Sequence, residues 1–121
     1  MSHRVLVVDD EPNIVISLEF LLKKEGYAVV VAGDGEAALQ QAEQFRPDLV
    51  LLDVMMPKKS GFEVCEALRA NPAHAGVKII MLTARGRETE VTKGLALGAD
   101  AYITKPFSTK DLVARVKTLL G

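Results

Sequence analysis

Four short stretches of this chain, residues 5–8, 28–31, 49–52 and 78–82, are almost unbroken runs of Val, Leu and Ile rather than alternations of apolar and polar residues. Such a run has no face to show to water. It reads as a strand buried on both sides, which in practice means a parallel sheet covered by helices above and below. A fifth run, Ala-Tyr-Ile-Thr at 101–104, is weaker and more polar and suits an edge position.

The segments between the runs carry helical spacing. After Pro12, which suits a first helical position, Ile14, Leu18, Leu21 and Leu22 fall on one face. Asp34-Gly35 opens a second helix with Ala38, Ala42 and Phe45 inward. Ser60 followed by Glu63 is a capping-box pattern for a third, whose apolar side holds Phe62, Cys65 and Leu68. Residues 88–97 form a shorter helix ended by Gly98, and Ser108 with Asp111 starts a fifth, with Leu112, Val116, Leu119 and Leu120 facing the core. Strand and helix alternate five times, so the expectation is a doubly wound α/β domain spanning residues 1–121. The last predicted helix ends where the sequence does, at Gly121; the alternatives are a complete protein or one with an output domain beyond.

Composition narrows the function. With 15 basic against 16 acidic side chains there is no excess positive charge for nucleic-acid binding by this segment. The single cysteine, Cys65, precludes an internal disulfide and reads as a small core residue. No apolar stretch approaches a membrane span or a secretory signal, so the expected location is the cytoplasm. His3 and His74 have no ligand-like spacing and read as surface residues.

The polar residues that interrupt the apolar runs hold the chemistry. Asp9 and Asp10 follow the first run, Asp53 the third, Thr83 the fourth and Lys105 the fifth. In a parallel sheet all five reach the same carboxyl edge, where open α/β sheets bind ligands. Asp10 also reads as an N-cap for the first helix. Three crowded carboxylates raise one another's pKa and call for a hard cation, for which hydrated Mg²⁺ fits best. A carboxylate beside a lysine and a hydroxyl can receive a phosphoryl group as an acyl phosphate.

The segments Val7-Val8-Asp9-Asp10-Glu11-Pro12, Leu51-Leu52-Asp53-Val54-Met55-Met56-Pro57, Gly61, Met81-Leu82-Thr83-Ala84, Gly98-Ala99-Asp100-Ala101-Tyr102 and Lys105-Pro106-Phe107 together resemble the receiver domains of two-component response regulators. The resemblance covers the whole chain and is nearest to receivers of winged-helix transcriptional regulators. It implies a flavodoxin-like sheet in the order 2-1-3-4-5. It also implies that Asp53 accepts a phosphoryl group from the phosphohistidine of a sensor histidine kinase. Asp10, Asp53 and the Met55 carbonyl would ligate Mg²⁺, with Asp9 acting through water. Lys105 would pair with Asp53 and then with the phosphoryl group, Thr83 and Tyr102 would act as switch residues, and the Lys105–Pro106 peptide would be cis. Met55 and Arg85 match positions that tune self-dephosphorylation, and their bulk implies a long-lived phosphoryl state.

In this family a charged face on the fourth helix, fifth strand and fifth helix supports homodimers. Asp100, Asp111, Arg115 and Lys117 match it, whereas Val91 and Ala101 stand where ion-pair partners are common. Three other functions compete. An aspartate-nucleophile phosphohydrolase would need an acid where Met55 stands. A flavin carrier would be repelled by Asp9-Asp10-Glu11. A binding module independent of phosphorylation would have no need for the full set of Asp9, Asp10, Asp53, Thr83 and Lys105. The expected protein is therefore a self-phosphorylating switch rather than a conventional enzyme.

Overall fold

The computed structural model describes residues 3–56, 60–84 and 88–121. Its strands are β1 (Arg4–Val8), β2 (Ala28–Ala32), β3 (Leu49–Asp53), β4 (Lys78–Ala84) and β5 (Ala101–Lys105). All neighbouring pairs are parallel, in the order β2-β1-β3-β4-β5. The helices are α1 (Pro12–Lys24), α2 (Gly35–Phe45), α3 (Gly61–Ala70), α4 (Glu88–Ala96) and α5 (Thr109–Leu120), with a single 3₁₀ turn at Pro72–His74.

The unbroken apolar runs divide their side chains between two cores, as a period of two requires. Leu6, Val8, Val50, Leu52, Ile79 and Met81 pack with Ala38, Ala42, Val64, Cys65 and Leu68 of α2 and α3. Their neighbours Val5, Val7, Leu49, Leu51, Ile80 and Leu82 pack on the other face with Leu18 and Leu22 of α1 and Leu112 and Val116 of α5. In β5 only Ile103 is buried, in keeping with its edge position.

Three helix starts match the local sequence pattern. Asp34 Oδ1 accepts from the Ala37 amide at 2.8 Å, Ser60 and Glu63 form a reciprocal capping box, and Ser108 Oγ accepts from the Asp111 amide at 3.3 Å. The start of α1 differs from expectation. Glu11, not Asp10, is its N-cap, and it makes no side-chain cap bond. The preceding turn is closed instead by Asp9, whose Oδ1 accepts from the Glu11 amide at 2.9 Å.

His74 also departs from expectation. It is buried, with Nε2 3.6 Å from Glu43 Oε2, because the 3₁₀ turn folds it inward beneath α2. At the same, amino, end of the sheet Arg69 of α3 ties together three segments. It donates to the carbonyls of Gly98 at 2.8 Å and Val77 at 2.7 Å, and to Asp100 Oδ2 at 2.8 Å. Asp100 Oδ2 also accepts from the Ile79 amide at 2.8 Å.

Candidate functional site

Strand register, more than any local feature, assembles the site. Asp53 lies opposite Leu82, Thr83 opposite Thr104, and Ala84 opposite Lys105, so the ends of β3, β4 and β5 stop at one edge. The β1 end adds Asp9 and Asp10. Asp9, Asp10 and Asp53 bring carboxylate oxygens within 4.8 Å of one another, with Asp9 and Asp53 buried and Asp10 exposed. The cleft above them, about 320 Å³, is lined by Asp10, Glu11, Asp53, Met55, Glu90 and Lys105 among others.

Lys105 is the hub. Its Nζ lies 2.8 Å from Asp9 Oδ2, 3.3 Å from Asp53 Oδ1 and 3.3 Å from Glu11 Oε1. The approach to Asp53 and Glu11 has hydrogen-bond geometry, whereas the closer approach to Asp9 Oδ2 is an ion pair without that alignment. Pairing with Asp53 matches expectation; the closer partner, Asp9, and the third, Glu11, were not foreseen. Burial alone would lower the Lys105 ammonium, but the three carboxylates outweigh it and hold its pKa above the usual range. The Lys105–Pro106 peptide is cis.

Asp53 shows the opposite balance. Burial, and then the negative charge of Asp9, push its pKa up to about 6 against the lowering pull of Lys105. Between about pH 4 and 6 the folded chain then holds a proton at Asp53 that the unfolded chain has released. Stability from this group is therefore greatest below that window and falls as pH rises through it. In metal-free protein, Asp53→Asn is expected to gain about 1–2 kcal/mol at pH 7.5, with the gain shrinking towards pH 4. Urea unfolding at both pH values in chelator checks this; equal stabilities at pH 7.5 would refute it.

Among the described residues the buried Thr83 hydroxyl has no hydrogen-bond partner; it follows Leu82, the residue opposite Asp53 in the sheet. Tyr102 points outward, 40% exposed, over a groove shared with Asp111 and Arg115. Met55 is exposed on the rim. Gly61, at the start of α3, lies against the β3 end, where a Cβ would overlap the Asp53 carbonyl oxygen. Arg85, the second expected tuning position, lies outside the described residues, as does Pro57.

The sequence matches the response regulator receiver domain over residues 5–117. The chain belongs to this family. Over 120 residues it is 50% identical to the alkaline phosphatase synthesis transcriptional regulatory protein PhoP of Bacillus subtilis, covering 99% of this chain and 49% of that protein. It is 48% identical to the DNA-binding response regulator MtrA of Mycolicibacterium smegmatis, again over 99% of this chain and 51% of the relative. The chain thus spans about half the length of the curated relatives it matches. Among solved structures, the chemotaxis response regulator CheY4 of Vibrio cholerae superposes with a TM-score of 0.93 at 33% identity, covering 98% of this chain and 99% of that one.

Within this receiver domain the charged face expected to support dimers is partly committed inside the chain. Asp100 is held by Arg69 and the Ile79 amide, and Lys117 Nζ lies 2.7 Å from Glu25 of the α1 end. Asp111 and Arg115 line the groove beneath Tyr102. Among the described residues no helix is long and apolar enough to cross a membrane.

Proposed function

We propose that this receiver domain is a phosphorylation switch in which Asp53 accepts the phosphoryl group. The observation that carries the reading is a buried carboxylate, 3.3 Å from a lysine ammonium, opening on a cleft at the strand edge where the buried Thr83 hydroxyl has no partner among the described residues. An Asp53 oxygen attacks phosphorus and forms an acyl phosphate. The bond from phosphorus to the donor nitrogen breaks, and its electron pair stays with the imidazole of the sensor kinase. Lys105 meets a phosphoryl oxygen, the Thr83 hydroxyl donates to another, and Tyr102 turns inward beside it.

The residues present fit Mg²⁺, since three carboxylates offer clustered hard oxygen ligands. Asp10, Asp53 and the Met55 carbonyl would hold the ion and Asp9 would reach it through water; when bound it supplies positive charge against the phosphoryl oxygens. Met55 stands where an aspartate-nucleophile phosphohydrolase would carry its second acid, and a thioether donates no proton, which argues against turnover of small phosphate esters. Met55 and Arg85 would slow hydrolysis of the acyl phosphate. Control of an output, cytoplasmic location and a phosphorylation-dependent homodimer belong to the same proposal. Such a dimer would use Asp111 and Arg115 on the face of the fourth helix, fifth strand and fifth helix, and this domain itself would not contact DNA.

Intact mass after incubation with acetyl phosphate and Mg²⁺ tests the reading. One added phosphoryl group is expected on the wild type and none on Asp53→Ala. No adduct on the wild type, with beryllofluoride also failing to bind, would move the function to binding independent of phosphorylation.

A further inference from the structure

We propose that Glu11 is a detachable latch on Lys105, the partner this lysine gives up when a phosphoryl group reaches Asp53. The inference rests on the phosphoacceptor reading above. An ammonium has three donors, and in this structure Lys105 faces three carboxylates, those of Asp9, Asp53 and Glu11. A phosphoryl group adds negative charge and strong acceptor oxygens at Asp53. The phosphoryl oxygens take over from the Asp53 carboxylate as hydrogen-bond partner of Lys105 and stand farther out than it. The ammonium therefore shifts, and one of its two remaining partners, Asp9 in an ion pair or Glu11 in a hydrogen bond, gives way.

Solvent exposure decides which one. The Asp9 side chain is fully buried and that of Asp53 is 8% exposed, while that of Glu11 is 59% exposed. Releasing Asp9 would leave a charge stranded away from water, a costly state. Glu11, once released, turns into solvent and is hydrated at once.

Glu11 is also built so that its carboxylate can move without disturbing the fold. Its backbone does the structural work: the amide donates to Asp9 Oδ1 at 2.9 Å, and the carbonyl accepts from Ile14 and Val15, each at 3.1 Å. Its side chain makes no cap bond to α1. Among the described residues the carboxylate's hydrogen bond is to Lys105. Glu11 is therefore a positioning residue. It holds the ammonium towards the rim of the cleft and delays its transfer to an incoming phosphoryl group.

The test uses the full chain and three proteins: wild type, Glu11→Gln and Glu11→Asp. Initial rates of Asp53 labelling by acetyl phosphate with Mg²⁺ are read by mass. In parallel, proton exchange of the Lys105 ammonium with water is read by ¹⁵N NMR in metal-free protein, with Lys105→Arg for assignment. A partly exposed ion pair supports an expected acceleration of labelling by about threefold to fivefold in Glu11→Gln. Glu11→Asp, one methylene too short to keep the contact, accelerates labelling as well, and Lys105 exchanges faster in both variants. If Glu11→Asp behaves as wild type, or if neither rates nor exchange respond, the latch is overturned. A wild type that takes no phosphoryl group overturns the phosphoacceptor reading and the latch with it; a labelled wild type with unresponsive variants overturns the latch alone.

Discussion

Lys105→Met is expected to slow phosphoryl uptake from acetyl phosphate by at least about a hundredfold, the usual scale for losing one aimed donor at a developing charge. Among the described residues Lys105 is the cation in contact with the buried carboxylates Asp9 and Asp53. It lowers the pKa of Asp53 against burial and against Asp9, so its loss also leaves the nucleophile more readily protonated. Methionine keeps the apolar stem and removes only the charge. Mg²⁺ should then bind more tightly, because a competing cation has left a cluster of three carboxylates. That second readout separates lost chemistry from lost structure, since a misfolded variant would bind Mg²⁺ less well. Titration by calorimetry and labelling rates by mass would decide. A rate loss below about tenfold would show that Lys105 is not the phosphoryl partner.

The part of this site that could be read from the sequence was the part set by topology. Unbroken runs such as Leu49 to Leu52 demand burial on both faces, and a parallel sheet then delivers Asp9, Asp53, Thr83 and Lys105 to one edge whatever lies between them. The caps at Asp34, Ser60 and Ser108 were legible because donor and acceptor are three residues apart and need no tertiary context. Contacts that depend on side-chain reach between distant segments were not legible. Asp100 looked like surface charge, yet Arg69 and the Ile79 amide hold it. Lys117 reaches Glu25 from the far end of the chain. His74 sits in a Pro-Ala-His-Ala-Gly stretch with no apolar period, and only the turn beneath α2 buries it. At the site itself, strand order puts Lys105 near three acidic residues but cannot rank them. Asp9 is closest because the Asp9–Glu11 turn fixes one of its oxygens and leaves the other facing the ammonium.

Gly61→Ala should be among the most damaging single-methyl additions in this chain, costing about 3 kcal/mol of stability and lowering the melting temperature by roughly 10 °C. A Cβ at this position would overlap the Asp53 carbonyl oxygen and stand 2.9 Å from Val54 Cα and 3.0 Å from the Asp53 carbonyl carbon. All three obstacles are backbone atoms of β3 and the residue after it, so no side chain can swing aside. Glycine is required here by the close approach of two backbones, not by a left-handed conformation. The Gly61 amide also donates to the Val54 carbonyl at 2.9 Å, and the Ser60–Glu63 capping box fixes the start of α3 beside it. Relief must come from moving α3 away or from shifting Asp53, and a shift misaligns its carboxylate with Lys105. Activity should therefore fall further than the loss of folded protein explains, because sub-ångström placement governs in-line attack. Gly76→Ala is the control: a Cβ there meets nothing within 4 Å, so its stability should stay within about 0.5 kcal/mol of wild type. Urea unfolding of both variants, with labelling rates measured well below the transition, tests the pair. Equal stabilities would mean that α3 is free to move at its amino end, and that the contact with the Asp53 backbone does not hold the nucleophile in place.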